Sequence, residues 1–127
     1  MKALTLVFLR RGDEILLGYK KRGFGVGRWN GFGGKVEDGE SIEDAARREL
    51  REEVGLNAEE LTPHGTLDFH FDGDQNALRV HVFSSSVFSG DIIESDEMRP
   101  AWYKISEIPF DSMWVDDRYW LPHLLDG

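Results

Sequence analysis

Residues 34–56 read GKVEDGESIEDAARRELREEVGL, and the rest of the chain is organised around them. Ser41 is placed as a helix N-cap, with Asp44 three residues on as a capping-box-like partner. Gly55 follows the last helical position, where a left-handed residue wants glycine. The spacing predicts a helix over Ile42–Val54, a normal length. At about 100° per residue, Ile42, Ala45, Ala46, Leu50 and Val54 share one broad apolar face. Glu49 and Glu53 fall inside that stripe and Glu52 at its edge, while Arg47, Arg48 and Arg51 lie mostly towards the other side. Carboxylates turned towards a core are costly unless something cationic neutralises them.

Two explanations fit such a helix. One is a salt-bridged amphipathic helix whose acids are partly buried, since Glu/Arg-rich helices are common. The other is a carboxylate cluster for a hard divalent cation, with Mg²⁺ favoured because it prefers oxygen ligands and keeps several waters.

Composition narrows the field. At 127 residues the chain is read as one domain, 1–127, large enough to bury a core without staples. Zero cysteines rule out disulfides and zinc–thiolate sites and fit a reducing compartment. The apolar run before Arg10-Arg11 is too short for a signal peptide or a membrane span. A soluble, cytoplasmic monomer is expected, with no membrane partner. A net charge of −9 disfavours extended binding to polymeric nucleic acid, which usually takes a basic surface. A small anionic ligand remains possible where a metal and a few local cations meet its phosphates.

Along the chain, Ala3–Leu9 is read as a strand, Arg10–Asp13 as a turn and Glu14–Tyr19 as a second strand, together a hairpin. Lys20–Arg28 (KKRGFGVGR) is a basic, glycine-rich loop that taken alone suits a flexible solvated connection; just before the helix it is read as part of a ligand mouth, where lysine or arginine could meet a phosphate chain. Trp29–Gly34 is expected to be a short strand ending in a turn; Gly33 and Gly34 permit close backbone approach there. Gly65–Phe71 and Leu78–Phe83 alternate as a second hairpin, with Leu67, Phe69 and Phe71 on one face, and residues 71–76 as its turn. His70 and His81 are expected to be ordinary strand histidines. An acidic loop (90–98), a strand (Arg99–Lys104), a helical turn (Ile105–Phe110) and a last helix (Arg118–Leu125, capped by Asp116 or Asp117) complete the chain. The class is α/β, an α/β/α sandwich around a mixed β-sheet.

Residues 34–56 also carry a signature without a gap: Gly34, five residues, Glu40, seven residues, Arg48-Glu49-Leu50, one residue, Glu52-Glu53, one residue, Gly55-Leu56. On it the chain is identified as resembling the Nudix hydrolases. The blocks Lys20–Gly34, Glu94–Pro100 and Ile108–Trp120 resemble the MutT-like members that act on oxidised purine nucleoside triphosphates. That resemblance implies the Nudix fold and hydrolysis of 8-oxo-dGTP or 2-hydroxy-dATP to the monophosphate and pyrophosphate, sanitising the nucleotide pool. The implied cofactor is Mg²⁺, with Mn²⁺ the alternative ion.

The resemblance also implies roles. Gly33, through its carbonyl, and Glu49, Glu52, Glu53 and Glu97 would ligate metal. Glu53, ahead of Glu52 and Glu97, would orient or deprotonate the attacking water, and Arg48 would pair with a glutamate and hold it. Thr5, Lys20, Asn30 and Phe32, Gly33, Gly34 and Lys35 would line the substrate site, with Phe24, Phe69 and Phe71 as pocket walls, although all three also suit an ordinary core. Trp114 would stack on the purine, beside Val115, with Asp116 and Asp117 meeting the base edge. Two neighbouring carboxyls there cannot easily both ionise, so one would stay protonated and donate a hydrogen bond. Taken without the resemblance, Asp116 and Asp117 read more simply as a helix N-cap and a surface acid.

Two departures accompany the resemblance. Relatives carry Pro at the position of Val115, which frees φ before Asp116. They also continue past the last helix, so a shallower pocket or an uncovered sheet edge is expected here. The competing functions are a Nudix hydrolase of ADP-ribose, a dinucleoside polyphosphate or an undamaged nucleotide, and a non-catalytic nucleotide-binding module.

Overall fold

The computed structural model describes residues 2–23, 25–70, 77–114 and 117–126. Phe24, Phe71, Val115 and Asp116, all expected at the site, lie outside the described residues, as do Met1, the rest of 71–76 and Gly127.

The strands are β1 (Lys2–Arg11), β2 (Glu14–Lys20), β3 (Trp29–Asn30), β4 (Asn57–Ala58), β5 (Thr62–Phe69), β6 (Leu78–Ser85), β7 (Phe88–Ser89) and β8 (Met98–Lys104). The helices are α1 (Ile42–Val54) and α2 (Asp117–Asp126), with 3₁₀ turns at Ile105–Glu107 and Phe110–Ser112. Six strands form one sheet in the order β3-β2-β1-β6-β5, with β8 paired to β2. Strands β1 and β6 run parallel and the other pairs in this sheet antiparallel, so the sheet is mixed as expected.

Strand alternation divides the sheet into two cores. Val7 and Leu9 of β1, Leu16 of β2 and Phe83 of β6 point to one face, where Ala46, Leu50 and Val54 of α1 cover them. Phe8, Ile15, Leu17 and Val82 point to the other, against Leu121, Leu124 and Leu125 of α2. The result is the three-layer α/β/α arrangement.

Helix α1 begins and ends where its sequence says. Ser41 Oγ accepts from the Asp44 N–H at 3.1 Å, and Gly55, at φ 76°, donates its N–H to the Arg51 carbonyl. Helix α2 extends one residue beyond its expected bounds at each end. It holds Pro122 in its interior, a residue that costs a helix about 3 kcal/mol. Burial of Leu121, Leu124 and Leu125 offsets that cost.

Several boundaries differ from expectation. Arg10 and Arg11 belong to β1 rather than to a turn, because both charges find partners: Arg10 Nη1 donates to the Leu125 carbonyl at 3.0 Å, and Arg11 lies 4.1 Å over the Trp102 ring. Gly12, at φ 59°, makes the turn instead. Only Trp29 and Asn30 of the expected strand 29–34 form regular ladder; Phe32 meets β1 through a single bridge to Val7, and Lys35, just past the segment, through one to Leu4. The β4–β7 ribbon, two residues a side, is too short to carry a periodic signal.

Candidate active site

The site grows from the contact between β1 and residues 32–35. The Thr5 N–H donates to the Gly34 carbonyl at 2.9 Å, and Val7 and Phe32 exchange backbone hydrogen bonds. A Cβ on Gly33 would fall 1.8 Å from the Thr5 carbonyl oxygen, and one on Gly34 would fall 2.7 Å from the Glu49 carboxyl. Only glycines let this run lie flat between strand and helix.

Because it lies flat, the Gly33 N–H reaches Glu53 and donates to Oε1 at 2.8 Å. Glu53 is 4% exposed. Burial, outweighing the Gly33 hydrogen bond, pushes its carboxyl up to about 8, with the charges of Glu49 and Glu97 adding to the rise and Lys20 opposing it. Glu49 is also raised, first by burial, against the pull of Arg48 and with the push of Glu52 and Glu97.

Arg48 ties the acidic face together. Nε and Nη2 grip Glu40 in a fork at 2.7 and 3.1 Å, Nη1 donates to Glu49 at 2.9 Å and Glu52 at 3.2 Å, and Nη2 also reaches the Lys35 carbonyl at 3.0 Å. These five contacts match the five donors of a guanidinium. Glu40 is held below the usual carboxylate range by that fork and by the Glu37 N–H. Arg48 therefore leaves the outer face assigned to it and turns into the cluster.

Glu97 arrives from far along the chain. The β2–β8 register pairs Lys20 with Met98, and the Lys21 N–H donates to the Glu97 carbonyl at 2.8 Å. Lys20 Nζ then lies 3.4 Å from Glu97 Oε2. Lys21 holds the same loop through Glu94 and the Ser95 carbonyl. Among the described residues no group of three or more His, Asp or Glu side chains is placed to hold a metal ion as it stands. The donor chemistry nevertheless fits one: every side-chain donor is a carboxylate oxygen, and the burial that chiefly raises Glu49 and Glu53, with the repulsion of neighbouring acids added to it, is what a divalent cation offsets. Arg48 and Lys20 supply part of that neutralisation.

The expected substrate residues divide into two groups. Lys20, Gly33, Gly34 and buried Thr5 gather at the carboxylates, the Thr5 hydroxyl 3.5 Å from both the nitrogen and oxygen of Gly34. Lys35 is exposed and uses its carbonyl on Arg48. The Phe32 ring is completely buried in the α1 core, so it packs there instead of lining an open site. Asn30 turns its Oδ1 onto the Gly31 N–H at 2.8 Å.

Phe69, half-buried, ends β5. Trp114 is half-buried and lies against Gly25, whose Cβ position is 3.4 Å from the indole Cζ2. Asp117 is 4% exposed and opens α2, its N–H donating to the Trp114 carbonyl at 3.0 Å. Charge alone directs Arg28 to phosphate. Its guanidinium instead lies 4.3 Å over the Trp114 ring. The glycine spacing of the loop, alternating at 23, 25 and 27, is the one sequence sign of its fold, and it does not reveal where Arg28 points. His70 is exposed and His81 half-buried, and both lie near Asp68, whose carboxyl is lowered chiefly by its hydrogen bond from Arg79.

A family model described as the NUDIX domain matches residues 2–124. Over 124 residues the chain is 52% identical to the oxidized purine nucleoside triphosphate hydrolase of Danio rerio, covering 98% of this chain and 80% of that protein. The Mus musculus protein of the same name is 52% identical over 121 residues, covering 95% and 78%. A crystal structure of a MutT protein from Bacillus halodurans superposes with a TM-score of 0.87 at 26% identity, covering 100% of this chain and 84% of that one.

Proposed function

Because the chain belongs to the NUDIX domain family, we propose that it hydrolyses oxidised purine nucleoside triphosphates, such as 8-oxo-dGTP and 2-hydroxy-dATP, to the monophosphate and pyrophosphate. The product would no longer be a polymerase substrate, which makes the reaction a sanitation step for the nucleotide pool. The observation that carries the chemistry is Glu53, a buried carboxyl fixed through one oxygen by Gly33 and surrounded by further carboxylates. The substrate class is supported by identity to hydrolases of that name along nearly the whole chain.

In this reading Glu49, Glu52, Glu53, Glu97 and the Gly33 carbonyl hold Mg²⁺, or Mn²⁺ in its place. The bound ion supplies charge neutralisation on the phosphate oxygens and lowers the pKa of a water. Glu53 Oε1 is engaged by Gly33, so Oε2 is the atom that orients the attacking water and takes its proton. Water adds at phosphorus, and the bridge between the α and β phosphates breaks. Pyrophosphate leaves with the bridging electron pair or stays with the added oxygen, according to which phosphorus is attacked. Arg48 keeps Glu49 and Glu52 in position. Lys20 meets the phosphate chain, Trp114 stacks on the base, and Asp117 with Asp116 reads its edge, one carboxyl protonated. The protein acts on a small nucleotide as a cytoplasmic monomer, with neither polymeric nucleic acid nor a membrane as partner.

Product formation with Mg²⁺ tests this directly, read as pyrophosphate from 8-oxo-dGTP, 2-hydroxy-dATP and dGTP and as AMP from ADP-ribose, with Glu53→Gln as control. The expected result is a clear preference for the oxidised triphosphates and a fall of about 10²- to 10⁴-fold in the variant. Equal turnover of dGTP would remove the base-reading assignment, and hydrolysis of ADP-ribose alone would replace the substrate class.

A further inference from the structure

The loop from Lys20 to Arg28 closes on itself. The Lys20 N–H donates to the Arg28 carbonyl at 3.0 Å, and the Gly27 N–H returns to the Lys20 carbonyl at 2.9 Å. Inside that closure, Val26 bonds Gly23 and Arg28 bonds Gly25, while Gly23, Gly25 and Gly27 take φ of 81°, 86° and 83°. Three left-handed positions in five residues make a tight, specified loop rather than a slack one. Its two ends therefore sit side by side yet face different chemistry. Lys20 turns to Glu97 and the carboxylates. Arg28 turns to the Trp114 ring, with Gly25 against the ring's edge.

An exposed arginine on an acidic protein has many carboxylates to choose from, and this one lies over an indole. A planar guanidinium stacked on an aromatic face restricts the plane of both groups. We propose that Arg28 is a positioning residue for the base end of the site: it covers one face of Trp114 and sets the plane against which the purine stacks on the other. Through the Lys20–Arg28 closure, that plane is held in register with the cation that meets the phosphates. This rests on the function proposed above, in which Trp114 stacks on the base.

Arg28→Ala and Arg28→Lys test it. Four quantities are measured in each: KM and kcat for 8-oxo-dGTP, the affinity for 8-oxo-dGMP by calorimetry, and the affinity for inorganic triphosphate, which has no base. The expected result for Arg28→Ala is a KM and an 8-oxo-dGMP dissociation constant raised roughly fivefold, with triphosphate affinity unchanged. Lys, which keeps the charge but loses the planar stack, should recover part of the loss. Unchanged affinity for 8-oxo-dGMP overturns the proposal. So does an equal loss for triphosphate, which would mean that Arg28 serves the phosphates, and so does tighter binding, which would mean that it occupies the place of the base. Wild-type protein that binds 8-oxo-dGMP but releases no pyrophosphate counts against the hydrolase reading and leaves the Arg28 comparison measurable.

Discussion

The carboxylate end and the base end of this site are held by different means. At the carboxylate end, one helix supplies Arg48, Glu49, Glu52 and Glu53 within six residues, and a fully engaged guanidinium locks three acids with Glu40 among them. At the base end, Arg28 and Trp114 meet from distant parts of the sequence, the guanidinium 4.3 Å over the ring. The first is rigid because its contacts are many and local. The second depends on a loop keeping its shape. Damage to the carboxylate end should therefore cost fold and chemistry together, whereas damage to the base end should cost recognition alone.

The largest expected effect breaks the carboxylate end through its backbone. In Gly33→Ala the new Cβ would meet the Thr5 carbonyl at 1.8 Å, and backbone cannot swing aside as a side chain can. Residues 32–35 would have to leave β1, carrying the Gly33 N–H away from Glu53. A loss of about 3 kcal/mol or more is expected in urea unfolding, with turnover abolished. Near-native stability in this variant would show that the strand-to-helix run is not what fixes Glu53.

Next comes Glu53→Gln, which separates stability from chemistry. The folded carboxyl titrates near 8, against 4.5 for an ordinary glutamate, so the folded state holds a proton that the unfolded chain has lost. The Glu53 contribution to the stability of the metal-free protein is then fully present below about pH 4.5 and is lost as pH rises towards 8. Glutamine has no such dependence. With a chelator present, the variant should melt about 5 to 10 °C above wild type at pH 8, and the gap should close by pH 5. A pH-independent difference would mean that the Glu53 charge is already neutralised within the protein. The variant that gains stability is expected to be the one that loses hydrolysis, a trade expected where charge is stored for function.

This contrast also explains what is legible in the sequence. Ser41, the apolar stripe of α1 and Gly55 can be read because caps and periodicity are local, and α1 has the bounds they give it. Strand alternation likewise sets Val80 and Val82 on the face opposite Phe83, and the two sets enter opposite cores. Glu97 is identifiable only by resemblance, since its arrival depends on the register of β2 with β8. Arg28 is hidden for the same reason: charge and glycine content suggest phosphate, and nothing local says that Trp114 lies within reach. Residues 31–34 resemble strand because their aromatic and apolar neighbours suggest one; three glycines leave too little side chain to build a regular ladder.

The smallest expected effect sharpens the comparison at the base end. Gly25 sits at φ 86°, where alanine is strained, and its Cβ would come 3.4 Å from Trp114 Cζ2, ordinary contact that does not itself force the ring away. Gly25→Ala should therefore cost about 1 kcal/mol of stability through the backbone, read as a fall of about 3 to 5 °C in Tm. Its effect on function would come from a loop that relaxes away from left-handed φ and carries Arg28 off the ring. KM for 8-oxo-dGTP should rise a few-fold, while kcat and the affinity for inorganic triphosphate stay put, because Glu53, Arg48 and Gly33 are untouched. A fall in kcat of similar size would show that the two ends are not independent. The closure between Lys20 and Arg28 would then be the route by which strain at the base end reaches the carboxylates.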